Sequence, residues 1–312
     1  MPTLFPLTVP EAAALLRGGK LCAFPTETVY GLGADATNPD AVLSIYETKG
    51  RPRFNPLIVH CGDLAMAERL AKFTPLARRL AETFWPGPLS IVLPLKAGHG
   101  LADIATAGLD TVALRMPDHP LALALLREAG LPLAAPSANP SGKLSPTTAG
   151  QVQKGFAGRV PVLDGGPCKR GLESTIVAVD GDRLIQLRAG ALPREDIEKA
   201  MGITVEQVVE GAAISAPGML LSHYAPNAHM RLNAEPRPGE AFLAFGPAQP
   251  FSGTTRNLSP TGDLHEAARN LFSMLHELDA DGASTIAVAP IPETGLGEAI
   301  NDRLQRAAAP RG

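Results

Sequence analysis

No Cys-x-x-Cys pair occurs among the three cysteines, Cys22, Cys61 and Cys168, and their wide separation argues against a disulfide framework or a cysteine-built zinc site. Histidine offers no substitute: the closest pair is His223 and His229, and H-E-x-x-H is absent. Free buried thiols in a reducing compartment fit this usage. Aromatic residues make up only 4% of the chain, too few for a base-stacking platform along a single strand. The net charge of −3 supplies no overall positive field, so any anion binding must be local. No run approaches the eighteen apolar residues of a membrane span, and Met1 to Pro6 carry neither the basic region nor the apolar core of a signal peptide. A cytoplasmic protein that does not meet the membrane is expected. Two common catalytic loops are also missing. Gly19-Lys20 and Gly142-Lys143 are each followed by leucine, which rules out a P-loop, and no G-x-S-x-G elbow is present.

What the chain does have is local. Its 312 residues allow about two domains, and its 30 prolines and 31 glycines are dispersed, implying many fixed turns. The most informative stretch runs from Lys49 to His60. Lys49, Arg51 and Arg53 fall within five residues, and no acid stands between Glu47 and Asp63. Upstream, Asn38-Pro39-Asp40 predicts a capped helix start, Ala41, Val42, Ile45 and Tyr46 recur at helical spacing, and Gly50 suits a left-handed stop. Pro52 and Pro56 exclude helix at Arg51 and Asn55, and Leu57 to His60 is short enough to be a buried strand. Lys49, Arg51 and Asn55 therefore sit on a stiff connection where guanidinium groups could clamp phosphate oxygens. An ordinary solvated basic loop fits the same residues.

Taken in order, Glu11 to Arg17 reads as a helix closed by Gly18-Gly19, and Leu21 to Phe24 as a buried strand ended by Pro25. Thr26 and Thr28 follow at its C-terminal end, where open α/β sheets hold ligands, and share a face if extended. Gly31-Leu32-Gly33-Ala34-Asp35-Ala36 imitates a dinucleotide loop, but Pro39 starts the helix too late, and Arg51 and Arg53 stand where the acid belongs; only an NADP reading survives. Pro75 to Phe84 and Pro120 to Glu128 read as helices. Leu89 to Leu93 and Thr111 to Arg115 read as strands, Leu133 to Ala135 leads into the turn that follows, and Val160 to Leu163 precedes Asp164-Gly165-Gly166. Arg115 falls at a strand end, either aimed into a cleft or on a surface rim. Pro136 to Gly142 is a turn rich in hydroxyls and exposed N–H groups, suited to an anion or to plain punctuation. Asp180-Gly181 signals a hairpin that brings Ser174 and Arg188 to one open end. A helix from Pro193 to Met201 ends the first unit.

The domain division expected is 1–209, a linker at 210–238 that holds Ser222-His223-Tyr224-Ala225-Pro226, and a small α/β unit at 239–312. In that unit Ala241 to Phe245 and Thr285 to Ala289 read as strands, and Asp263 to Leu278 and Leu296 to Ala308 as helices.

Six motifs in sequence resemble one family: Phe24 to Gly33, Lys49-Gly50-Arg51-Pro52, Asn55-Pro56-Leu57, Arg115-Met116-Pro117, Pro136-Ser137-Ala138-Asn139 and Glu173-Ser174-Thr175-Ile176. Together they look like the YrdC-type threonylcarbamoyl-AMP synthases. Ser222 to Pro226 and the tail resemble the longer, two-domain form. The resemblance is dense over 20–190 and looser beyond 235, where the tail is short. It implies a twisted mixed sheet with flanking helices, plus a small Rossmann-like C-terminal α/β domain. It also implies synthesis of threonylcarbamoyl-AMP and pyrophosphate from L-threonine, bicarbonate or CO2 and ATP, with magnesium held mainly by the phosphates. The product would pass to a tRNA threonylcarbamoyl transferase complex. By motif, Lys49, Arg51, Asn55, Thr111, Ser137, Ser145, Arg188 and Tyr224 would hold ATP, with Lys49 and Arg51 catalytic. Thr28, His60, Arg115, Ala135 and Ser174 would hold threonine, Arg115 taking its carboxylate. A double-stranded RNA binding module and a carbamoyl-adenylate enzyme of metalloenzyme maturation are the alternatives.

Overall fold

Helix starts follow their caps. The Asn38 side chain accepts from the backbone N–H groups of Asp40 and Ala41 at 3.0 and 3.1 Å, and Gly50, at φ 61°, stops the helix after Lys49. The computed structural model describes residues 7–208, 224–247 and 251–310. Within them the helices are α1 (Val9–Arg17), α2 (Pro39–Lys49), α3 (Leu64–Leu70), α4 (Pro75–Phe84), α5 (Asp103–Thr106), α6 (Pro120–Ala129), α7 (Ala149–Gly155), α8 (Arg194–Met201), α9 (Leu264–Ala280) and α10 (Leu296–Ala308).

The strands divide between two sheets. β1 (Cys22–Phe24), β2 (Gly31–Asp35), β3 (Ile58–His60), β4 (Leu89–Pro94), β5 (Thr111–Arg115), β6 (Leu133–Ala134), β7 (Thr175–Asp180), β8 (Arg183–Arg188) and β9 (Val205–Gln207) form one mixed sheet. Its spatial order is β1-β2-β6-β3-β5-β4-β7-β8-β9. β10 (His229–Arg231), β11 (Ala241–Ala244), β12 (Thr255–Asn257) and β13 (Thr285–Val288) form the other, parallel throughout, in the order β10-β13-β11-β12. Gly31, Leu32 and Gly33 lie inside β2, paired with β1, so the glycine pattern there is strand and not a nucleotide loop.

Register decides which residues meet. β3 and β5 are parallel, with Ile58 opposite Ala113 and His60 opposite Arg115. Because side chains alternate, these four share one face. The other face of the same strands, with Val59, Leu114 and, beside them, Ile91 of β4, joins the main core with Val42, Ile45 and Leu80 from α2 and α4. The first face instead carries a small apolar strip of Ile58, Ala113, Val92 and Ile176, and the site lies over it.

Val160 to Leu163 makes only an isolated bridge between Val162 and Ala23, because Pro161 has no N–H and the segment pairs through one edge alone. Of the expected linker, residues 210–223 lie outside the described residues. His229 to Arg231 is strand β10, bonded to β13, so the second sheet reaches back into that span.

The two units share a core. Val29, Leu144, Leu172 and Ala191 of the first pack in one cluster with Leu271, Phe272 and Ile300 of the second. At Gly171, φ 74°, a Cβ would stand 2.5 Å from the Ala268 carbonyl and the Arg269 Cα. Only glycine permits that backbone approach.

Candidate active site

One cavity of about 570 Å³, a volume that includes its open mouth, collects most of the predicted residues. Thr26, Thr28, Val29 and Gly31 line it from the β1–β2 connection, Ile58 and His60 from β3, and Arg115 from the end of β5. Ala135, Pro136 and Ser137 follow β6, Glu173 and Ser174 precede β7, and Arg188 ends β8; Arg51 and Tyr224 complete the wall.

The strand ends explain the convergence. The β7–β8 hairpin turns through Gly181-Asp182, pairing Asp180 with Arg183 and Ile176 with Arg188. Arg188 then donates to the Ser174 carbonyl at 2.8 Å and to its Oγ at 3.1 Å. Ser174 Oγ also meets Ser90 Oγ at 2.8 Å. On the opposite wall the Thr26 and Thr28 hydroxyls are 2.7 Å apart, and Thr26 donates to the Val29 carbonyl at 2.6 Å.

The stiff Lys49–Pro56 connection works as two devices. Arg51 lines the cavity while its Nε and Nη2 donate to the carbonyls of Asn55 and Pro56, at 3.3 and 3.0 Å. Lys49 is buried and stands outside the cavity lining. Its ammonium donates to the carbonyls of Ser137 and Asn139, and its own carbonyl accepts from Ser141 N at 2.7 Å. Lys49 thus shapes the Ser137 turn from behind.

Burial makes these cations uncomfortable. It pushes Lys49 well below its ordinary range, with Arg51 adding repulsion. Arg51 is pushed down to about 10, burial again leading, although the phenols of Tyr46 and Tyr224 work against it. Arg188 is lowered by burial as well. His60 falls to about 3 through burial and the Arg115 charge, so its ring is neutral at physiological pH. Its Nδ1 is buried without a hydrogen-bond partner, and the residue lines the cavity. Desolvated cations held mainly by neutral oxygens gain most from a polyanion.

Not every predicted residue reaches the cavity. Thr111 shares the face of Ala113 and Arg115 but stands at the far end of β5, beyond the apolar strip. Ser145 is fully buried one layer back, donating to Glu173 Oε1 at 2.5 Å. Asn55 is buried beside Arg51, its Oδ1 without a partner.

Three residues were given no role from sequence. Glu27, inside the Phe24–Gly33 motif, lies 2.7 Å from Arg115 Nη2, an ion pair too misaligned to count as a hydrogen bond. Its signal was an acid set in an apolar, strand-ending segment. Glu173, inside its own motif, pairs with Arg303 from α10 at 2.9 Å. Arg303 itself had no signal, because an arginine on an amphipathic helix reads as surface.

Among the described residues no cluster of His, Cys, Asp or Glu could hold a metal ion. Glu173 in the wall, and Glu27 outside the lining, are each engaged by an arginine. A resident metal does not fit this donor set.

Comparisons with known proteins agree with the geometry. A family model described as "Telomere recombination" (Sua5, YciO and YrdC) matches residues 14–190. Another, "Threonylcarbamoyl-AMP synthase, C-terminal domain", matches residues 192–309. The threonylcarbamoyl-AMP synthase of Bacillus subtilis is 42% identical over 97% of this chain and 93% of its own. That of Pyrococcus abyssi is likewise 42% identical, over 96% and 94%. A crystal structure of P. abyssi Sua5 complexed with L-threonine superposes with a TM-score of 0.87 at 40% identity, covering 96% of this chain and 94% of that one. Neither an RNA-binding module nor a carbamoyl-adenylate enzyme is what these full-length relatives are. With both units matched and their order kept, the chain belongs to the YrdC/Sua5 family of threonylcarbamoyl-AMP synthases, in its two-domain form.

Proposed function

We propose that the chain is a nucleotidyltransferase that makes L-threonylcarbamoyl-AMP and pyrophosphate from L-threonine, bicarbonate or CO2 and ATP, for modification of tRNA. The observation that carries this reading is the meeting of Arg51, Ser137 and Arg188 with Arg115, His60 and Ser174 in one cavity. The first three suit a triphosphate and the second three a small amino acid, and Ile58 of the apolar strip adds an uncharged surface to the same cavity.

In this reading Arg115 takes the threonine carboxylate, backed by Glu27. The neutral His60 ring, Thr28, Ala135 and Ser174 surround the rest of the amino acid. Arg51 and Arg188 hold phosphate oxygens, Ser137 adds its hydroxyl and Lys49 its charge from behind the turn. Asn55 and Ser145 support these groups, Thr111 lies toward the nucleoside end, and Tyr224 covers the cavity. Residues 1–209 form the catalytic unit, 210–238 the connection that delivers Tyr224, and 239–312 the second unit.

The neutral threonine amine adds to the carbon of CO2, a C=O π pair moving to oxygen and one N–H proton passing to water, to give a carbamate. A carbamate oxygen then attacks the α-phosphorus, forming a P–O bond as the bond to the bridging oxygen breaks and pyrophosphate leaves. The protein supplies no nucleophile. It positions two substrates and offsets the charge that builds on the phosphates. Magnesium, entering on the triphosphate, would share that charge. The product would pass to a tRNA-modifying transferase in the cytoplasm.

Purified protein with MgATP and bicarbonate is expected to release pyrophosphate and form threonylcarbamoyl-AMP, seen by mass spectrometry, only when threonine is added. No product overturns the reading. Equal pyrophosphate release with serine or with no amino acid removes the threonine selectivity.

A further inference from the structure

Glu173 is a carboxylate in the wall of a cavity proposed to bind a triphosphate, which is the wrong charge for that place. Left alone it would compete with phosphate for Arg188, its neighbour across the hairpin end. The molecule answers from the other unit. Arg303, on α10, is 1% exposed, and its Nε donates to Glu173 Oε2 at 2.9 Å. Nη2 donates to the Ala189 carbonyl at 3.0 Å, next to Arg188 in the chain, and Nη1 meets Asp302 at 2.5 Å. Glu173 Oε1 accepts from Ser145 at 2.5 Å, so both of its oxygens are occupied.

The same guanidinium does a second job. Its carbon lies 5.1 Å from the centre of the Tyr224 ring, and that ring also packs on Phe272 of α9, with centroids 5.5 Å apart. Tyr224 has φ 62°, a left-handed backbone that a bulky side chain adopts only under strain. Such a conformation persists only when its surroundings hold it. Arg303 and Phe272 hold the ring, and the Ala225 N–H donates to the Gly142 carbonyl at 2.8 Å, tying the segment to the Ser137 turn.

We propose that Arg303 is a positioning residue of the active site: from the second unit it neutralises Glu173 and seats Tyr224, leaving the arginine-lined cavity open to the triphosphate of ATP. The ionisation pattern agrees. Burial pushes Glu173 up, yet Arg303, Arg188 and the Ser145 hydroxyl together hold it below its ordinary value. This role rests on the cavity being the ATP site.

The test uses the full chain. Arg303→Met is expected to raise the KM and the Kd for ATP at least tenfold while the Kd for threonine stays within twofold, because the uncompensated Glu173 turns toward Arg188. Adding Glu173→Gln removes that charge and is expected to bring ATP binding back to within about threefold of wild type. Arg303→Lys, which keeps the charge but not the planar stack on Tyr224, should fall between. An Arg303→Met protein that binds ATP as wild type does overturns the proposal, as does a double variant that recovers nothing. If the single variant does not fold, the double variant, which buries no lone charge, decides by the same threefold criterion. Calorimetric ATP binding to the wild type separates the two readings: no binding refutes the ATP site, whereas normal wild-type binding with no response to Arg303 refutes only the positioning role.

Discussion

Glu27 and Glu173 present the same problem in two regions of the molecule: each is a buried carboxylate beside a cavity built for anions, and each is held by an arginine. The first pair closes within one sheet, Arg115 sitting at the end of β5 against the turn after β1. The second closes across two units, Arg303 reaching from α10 to the residues before β7. Arg115 faces the cavity, where under the proposed function it would exchange its partner for a substrate carboxylate. Arg303 stands behind the wall and serves only to cancel a charge and seat a ring. A glutamate can therefore back a binding arginine or be backed by a structural one, and the distinction lies in which partner meets the cavity.

The largest effect should come from breaking the first pair. Arg115→Ala leaves Glu27 buried and alone, which is expected to cost about 3–5 kcal/mol of folding stability by urea titration. Replacing both, Glu27→Gln with Arg115→Met, should cost much less. Equal losses would mean that shape and not charge is what the pair provides. Next comes an arginine with no carboxylate to abandon. Arg51→Ala is expected to weaken ATP binding by about 2 kcal/mol, roughly thirtyfold, through loss of one charge-assisted contact, with a smaller stability loss than at Arg115.

A pH titration sharpens the comparison further, since His60 faces Arg115 without sharing its carboxylate. The folded pKa of His60 lies near 3, below the unfolded value of about 6.5, so the unfolded chain binds more protons. The stability tied to His60 is complete above that unfolded value and is lost as pH falls toward the folded one. Between pH 6.5 and 5.5 a loss of about 1 kcal/mol is expected, and His60→Gln should flatten it. The smallest effect belongs to the exposed, two-bonded pair of Arg183 with Glu206, at 2.8 and 2.5 Å. Glu206→Gln is expected to leave the melting temperature unchanged, because water screens what the wall of the cavity cannot.

Much of the fold could be read from the chain. Asn38, Pro39 and Gly50 mark the ends of α2, Pro75 to Phe84 and Leu296 to Ala308 match α4 and α10, and Asp180-Gly181 marks the hairpin. β9, β10 and β12 escaped notice because they are short, polar and largely unburied, without the apolar run that marks the equally short β1 and β3. In the site, Arg51, Ser137, Ser174 and Arg188 could be placed from the elements they end. Lys49 reads from sequence as a phosphate ligand, and what no local pattern shows is that its ammonium also supports the Ser137 turn.

Amino-acid order alone determined where backbone segments start, stop and reverse, since caps, prolines, glycines and alternation act over a few residues. It also set the supply of cations and hydroxyls at strand ends. Only the tertiary structure decided which charge answers which: that Glu27 meets Arg115, and that Glu173 is answered from the far end of the chain by Arg303. A pairing of that kind depends on burial and on the distance across packed units, and no local pattern in a sequence encodes either.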